Sequence, residues 1–223
     1  MELTASEENY IKAIYSLYAE TKAPIATNDL ADKMETKASS ATDMIKRLSE
    51  KNIINYVKYK GCELTEEGEL IALKTIRKHR LWETFLVEKL NFKWDEVHEI
   101  AEQLEHIKSK QLTDRLEQFL DFPKFDPHGD PIPDEDGKMT KREKTLKLID
   151  CNPGMHVTVI GVDDGSSEFF SYLENFKIQL GTHLMIQSLF DFDKSIQVLI
   201  NDKLEAQLSK DATSRITVQI KSK

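Results

Sequence analysis

The chain has 223 residues and a formal net charge of −8 at neutral pH, enough length for one large domain or two to three small ones. Its 39% hydrophobic and 31% charged residues are those of a soluble globular protein. No apolar run nears the roughly 20 residues of a bilayer span and no basic-then-apolar leader opens the chain, so a cytoplasmic protein without a membrane partner is expected. The two cysteines, Cys62 and Cys151, imply no disulfide framework.

The acidity argues mildly against nucleic-acid binding, yet the charge is unevenly placed. From Lys37 to Lys60 the basic residues Lys37, Lys46, Arg47, Lys51, Lys58 and Lys60 stand against Asp43 and Glu50, a local charge of +4 (six minus two). Local charge sets a phosphate-binding face.

In chain order, Ser6 to about Ala19 reads as an amphipathic helix, with Tyr10, Ile11, Ile14, Tyr15, Leu17 and Tyr18 apolar and Ser6 as N-cap. Thr27 caps a second helix carrying Leu30, Ala31 and Met34. Glu35 to Lys37 form a turn, and a third helix runs from about Ala38 to Lys51 with Ala41, Met44, Ile45 and Leu48 inward. Its other face carries Ser39, Ser40, Thr42, Asp43 and Lys46, small hydroxyls and a lysine suited to a DNA groove. Ile53–Val57 and Glu63–Leu64 flank Lys58-Tyr59-Lys60-Gly61, a basic hairpin with Gly61 at the turn. Helix, helix, turn, helix and hairpin make a winged helix-turn-helix. A small helical domain of other purpose shares that outline, but the hydroxyl-rich helix and basic wing favour double-stranded DNA. Lys37, Ser39, Ser40, Thr42 and Lys46 are the groove candidates, with Lys58 and Lys60 on phosphates.

A fourth helix, capped around Thr65, passes Gly68 and His79 to about Leu90. Trp94 to Leu120 reads as helical throughout, and the four prolines at 123, 127, 131 and 133 then exclude a continuous helix between Asp121 and Gly137. Lys138 to Lys147 suits a linker. From Asn152 the texture is β: Val157–Val162, Leu184–Ser188, Ile196–Ile200 and Ile216–Ile220 are expected strands, with a short helix from Glu168 to Asn175. The fold class expected is mainly α with a C-terminal small β-barrel. The domain reading is 1–74 winged helix, 75–137 helical region, 138–151 linker and 152–223 barrel.

Six potential metal ligands fall within 28 residues: His79, Glu83, His98, Glu102, Glu105 and His106. His79 and Glu83 are one helical turn apart. His98, Glu102, Glu105 and His106 recur at +4, +7 and +8, one stripe on a second helix. The neighbouring Leu86, Leu90, Val97, Ile100, Leu104 and Ile107 already supply an apolar stripe, so these residues are free for a solvated face or for a first-row divalent cation.

The combination resembles the iron- and manganese-dependent regulators of the diphtheria toxin repressor family, over essentially the whole chain. The resemblance is carried by Arg77-Lys78-His79-Arg80-Leu81 with Glu83, by Val97-His98 with Glu102-x-x-Glu105-His106, and by Gly129-Asp130-Pro131-Ile132-Pro133. The module entered through Asn152-Pro153-Gly154 looks like the Src-homology-3-like barrel of ferrous-transport accessory proteins. The resemblance implies an ancillary site of His79, Glu83 and His98 and a primary, regulatory site of Glu102, Glu105 and His106. The primary site is completed near the N-terminus, where Asn9 falls and Glu7 or Glu8 are alternatives. The family's barrel adds a ligand to the ancillary site; the matching positions are Ser166 and Phe169, with Glu168 between them. Arg80 matches an anion-binding arginine, here beside Asp126 and Asp130. Glu102 makes the primary site oxygen-rich, favouring Mn²⁺ or Fe²⁺.

The expected function is a homodimeric, metal-activated transcriptional repressor binding a DNA operator. Two rivals stand beside it. His98-Glu99-Ile100-Ala101-Glu102 half matches the H-E-x-x-H pattern of a metalloenzyme, and the winged helix also suits a metal-independent regulator whose barrel binds a partner.

Overall fold

The computed structural model describes residues 2–57, 60–142, 145–163 and 166–220. They form two compact units. One comprises Met1–His79, Glu102–Thr113 and Pro133–Met139; the other comprises Arg80–Ala101, Asp114–Ile132 and Thr140–Lys223.

The first unit opens with α1 (Ala5–Thr21), α2 (Thr27–Lys33) and α3 (Ala38–Glu50), followed by the hairpin of β1 (Ile54–Val57) and β2 (Gly61–Leu64). Thr4, not Ser6, caps α1, because Glu7 at the third helical position returns a side-chain bond to the Thr4 N–H and closes a capping box. At the start of α2 the N-cap position is Ala26 rather than Thr27, and it offers no side-chain cap. Ala41, Ile45 and Leu48 share one face of α3 and bury against Ile11, Ile14, Leu30, Ile53, Ile54 and Cys62. The 3.6-residue period thereby leaves the opposite face of α3 to solvent. Gly61 opens β2 instead of forming the turn. Its φ is +104°, and an added Cβ would lie 2.6 Å from the Ile25 carbonyl oxygen, which belongs to an antiparallel bridge between Ile25 and Cys62. Only glycine permits both the backbone angle and the approach. Thr65 caps α4 (Glu66–Leu90), its hydroxyl accepting from the Gly68 N–H.

The stretch expected as one helix from Trp94 to Leu120 is two: α5 (Val97–Leu104) and α6 (Lys110–Phe119). Glu105 and His106 occupy the turn after α5. Ser109 explains the break, since its hydroxyl accepts the Leu112 N–H and starts a new helix. The stripe shared with His98 therefore ends at Glu102.

In the second unit, Leu81, Leu116, Leu120 and Ile132 form a small core with Trp82 and Phe85 packed on it. A separate, larger core lies in the C-terminal sheet. That sheet contains β3 (Thr145–Lys147), β4 (His156–Val162), β5 (His183–Leu189), β6 (Ile196–Ile200), β7 (Leu204–Leu208) and β8 (Ile216–Ile220), with α7 (Ser167–Asn175) and α8 (Lys210–Arg215) between strands. All pairings are antiparallel in the order β3-β8-β4-β5-β6-β7. Val157, Val159, Leu184, Ile186, Ile196, Val198, Ile200, Ile216 and Val218 alternate inward, and Phe169, Phe170 and Leu173 of α7 close the core. Among the described residues no pairing joins β3 to β7, so the six-stranded sheet is open rather than a closed barrel.

Candidate functional site

The start of α1 separates two adjacent glutamates. The capping box draws Glu7 toward Thr4, where its Oε1 also meets Lys51 Nζ at 2.6 Å. Burial pushes the Glu7 carboxyl up, but Lys51 and Thr4 together hold it below the usual range. Glu7 is thus committed to structure. Glu8 points elsewhere: its Oε2 lies 2.6 Å from His106 Nδ1. Asn9 follows, with an Oδ1 that is buried and has no hydrogen-bond partner among the described residues. A buried amide oxygen left unpaired is costly, and a cation would satisfy it.

Glu105 is fully buried. Lys12 Nζ, one turn beyond Glu8 on α1, donates to both its oxygens at 2.7 and 2.9 Å, and reaches Glu102 Oε1 at 3.4 Å. His79 Nδ1 stands 2.6 Å from Glu105 Oε2, and His106 Nε2 stands 3.8 Å from Oε1. Burial raises the Glu105 carboxyl, yet His79 and Lys12 outweigh it and keep the group below the usual carboxylate range. Glu8 and His106 thus meet, as do Glu105 and His79, and Glu102 is linked to Glu105 through Lys12, a group of oxygen and nitrogen donors to which α1 contributes Glu8, with the Asn9 oxygen adjacent in sequence. This donor set fits a first-row divalent cation.

A second cluster lies in the other unit. Glu83, buried on α4, has Oε1 3.4 Å from His98 Nδ1 and Oε2 3.7 Å from His128 Nδ1. Glu83, Asp126 and His128 each offer a ligand atom within 4.8 Å of the others. Burial, reinforced by the charge of Asp130 and opposed by that of Arg80, pushes the Asp126 carboxyl up to about 6. Burial lowers the His128 imidazole, but Glu83 and Asp126 more than offset it and leave it raised. Asp126 Oδ1 accepts the N–H groups of His128 and Asp130, both at 2.9 Å. The His128 ring stacks on Phe170 at 5.2 Å and meets Trp94 edge-on, while its carbonyl accepts from Val162 N–H. Gly129 sits against β4, where a Cβ would come 2.1 Å from the Ile160 carbonyl oxygen. Arg80 bonds the Pro131 carbonyl and lies 3.4 Å from both Asp126 and Asp130, so protein carboxylates already flank its guanidinium. Glu168 is exposed in the first turn of α7.

Sequence reasoning placed Asp126 only beside Arg80 and passed over His128. Both sit in a proline-rich loop without periodicity, and the one available signal was a histidine and two aspartates around Gly129.

Lys37, which precedes α3, and Ser39, Ser40 and Lys46 on it are exposed, as is Lys60 at the hairpin. Thr42 is half-buried and spends its hydroxyl proton on the Ala38 carbonyl at 2.8 Å, leaving it only as an acceptor. Arg47 joins the exposed basic face. Lys58 lies outside the described residues.

Three family models match consecutive parts of the chain: an iron dependent repressor N-terminal DNA binding domain over residues 2–62, an iron dependent repressor metal binding and dimerisation domain over 65–134, and a FeoA domain over 146–220. A solved manganese-dependent transcriptional repressor in complex with manganese superposes with a TM-score of 0.86 at 34% identity, covering 96% of this chain and 99% of that one. The iron-dependent repressor IdeR of Mycobacterium tuberculosis is 32% identical over 132 residues, 59% of this chain and 57% of the relative. The diphtheria toxin repressor of Corynebacterium efficiens is 26% identical over 197 residues, 83% and 84% of the two chains. The match thus spans little more than half the length of the mycobacterial relatives.

Proposed function

The chain belongs to the iron-dependent repressor family, and on that premise we propose that it is a transcriptional repressor whose DNA affinity is raised by Mn²⁺ or Fe²⁺. The observation that carries this reading is the Glu8–His106 approach at 2.6 Å. It joins the first helix of the DNA-binding domain to the segment following α5, so one cation held there would restrain both.

Glu8, Glu102, Glu105 and His106 are the proposed regulatory ligands, with Asn9 Oδ1 as a further donor. A bound divalent ion supplies positive charge to this carboxylate-rich set and fixes α1 against the turn at 105–106. Mn²⁺ is the first choice for such a hard, oxygen-rich site and Fe²⁺ the second. Raw affinity favours Zn²⁺ over Mn²⁺, so discrimination comes from geometry and metal supply. Glu83, His98 and His128, with Asp126, are the proposed second site; His79 belongs with Glu105 or with Glu83, one turn along α4.

Lys37, Ser39, Ser40, Thr42 and Lys46 are proposed for the groove, and Lys58 and Lys60 for phosphates. A homodimer presents two such helices to half-sites roughly 34 Å apart. The exposed Leu90, Phe119 and Phe122 suit its apolar interface. Among the described residues no helix is long and apolar enough to cross a membrane; the DNA-binding role is proposed to be cytoplasmic. Coupling of roughly 1–3 kcal/mol between metal and DNA would change affinity ~5–150-fold. The test is retention of fragmented genomic DNA by the chelator-stripped protein, with and without Mn²⁺. Discrete fragments kept only with metal are expected; equal retention without it would leave a metal-independent regulator.

A further inference from the structure

Both oxygens of the buried Glu105 are engaged by a cation of the chain itself. Lys12 Nζ holds them at 2.7 and 2.9 Å, and also reaches Glu102. An ammonium is a compact point charge with donors in several directions. It stands among the carboxylates as a monovalent ion would, tethered to α1 one turn from Glu8. Its side chain is 20% exposed, so a path to solvent is open to it.

We propose that Lys12 is an internal cation that holds the regulatory carboxylates in the metal-free protein and must yield them when a divalent ion binds, so that this lysine sets the metal concentration the site requires. The inference rests on the metal-centre reading above. Without Lys12, Glu102 and Glu105 would lose the ammonium that bridges them, while His79, His106 and the half-buried Lys78, which feels both Glu8 and Glu105, would remain nearby. Lys12 thus keeps the empty cluster folded. The same contacts oppose ligation, because the ammonium occupies the lone pairs a metal needs and repels its charge. A sensor gains by this: the site stays vacant until metal exceeds a threshold, and the metal-free state is not destabilised meanwhile. The competing possibility is that Lys12 permanently orients Glu105 and stays in place when metal binds.

The two roles give opposite results on neutralising the lysine. Mn²⁺ affinity is measured by calorimetry on the full-length, chelator-stripped protein and on Lys12→Met, with Lys12→Gln as a second neutral variant and Lys12→Arg retaining the charge. Thermal midpoints of the metal-free proteins are taken in parallel. Displacement predicts that both neutral variants bind Mn²⁺ about tenfold tighter or more, since two charge-assisted hydrogen bonds no longer have to be broken. It also predicts that their metal-free midpoints fall, while Lys12→Arg stays near wild type in both respects. Neutral variants that bind Mn²⁺ equally or more weakly, beside a wild type that binds, would overturn the role of Lys12 and leave the site standing. A wild type that does not bind Mn²⁺ would overturn both.

Discussion

Glu105→Gln tests the regulatory cluster at its most buried point. The substitution keeps volume and one acceptor but removes the charge that faces Lys12 and His79. Breaking a buried ion pair from one side costs about 3–5 kcal/mol. Lys12 is 20% exposed and can turn to water, so a smaller loss, about 2–3 kcal/mol, is expected in the metal-free protein. At 2–4 °C per kcal/mol for a chain of this size, the midpoint should fall by ~4–12 °C. The loss should depend on pH. Glu105 titrates below its ordinary value of 4.5 in the folded state, so its contribution is complete above that value and disappears as pH falls through the depressed one. Wild type and variant should converge only once the pH has fallen below that depressed value. With Mn²⁺ at a hundredfold excess over its dissociation constant, wild type should gain about 2.7 kcal/mol and the variant little. The assay is thermal denaturation with chelator and with Mn²⁺, repeated across pH. A variant that melts with wild type and keeps the full Mn²⁺ increment would refute the assignment of Glu105 as a ligand held by Lys12 and His79.

Other perturbations probe separate parts of the account. Asp126 is pushed up to about 6, mainly by burial, so its ionisation costs the folded state stability as pH rises from 3.8 toward 6; metal-free Asp126→Asn should exceed wild type above pH 7 by up to about 3 kcal/mol and match it below about pH 4. A less stable variant in chelator melts at neutral pH would mean that attraction to Arg80 outweighs burial. Gly129→Ala should destabilise the second unit by about 2 kcal/mol or more, given a φ of +94° and a Cβ 2.1 Å from the Ile160 oxygen. Gly161→Ala, whose nearest neighbour is at 3.5 Å, should be mild by comparison in the same melts, and equal effects would remove the steric explanation. Lys46→Ala and Lys60→Ala should each weaken DNA binding across sequences and reduce the slope of log affinity against log salt by about one; an unchanged slope would take that lysine off the phosphates.

Much of the first unit could be read from sequence because one period dominates it. Ala41, Ile45 and Leu48 announced both the buried face of α3 and, by exclusion, its solvent face. The inward alternation of β4, β5, β6 and β8 was equally plain. β7 was not, since Leu-Glu-Ala-Gln-Leu at an edge buries only Ala206 and Leu208. The helix break before α6 was hidden because Ser109 acts through a cap rather than through glycine or proline. The same distinction governs the site. Spacing singled out Glu102, Glu105 and His106 as candidates, although the break after α5 takes Glu105 and His106 off the helical stripe on which that spacing was read. Choosing among Glu7, Glu8 and Asn9 required the capping box that withdraws Glu7, and His128 lies in a loop whose position is set by Asp126, Gly129 and β4 rather than by any repeat.

The most direct test of the central claim is the affinity for one retained DNA fragment, with and without Mn²⁺, for wild type, Glu8→Ala and His106→Ala. If metal held between α1 and the turn after α5 governs DNA binding, Mn²⁺ should tighten the wild-type complex ~5–150-fold and leave both variants near the metal-free value. Variants that keep the wild-type response to Mn²⁺ would contradict it.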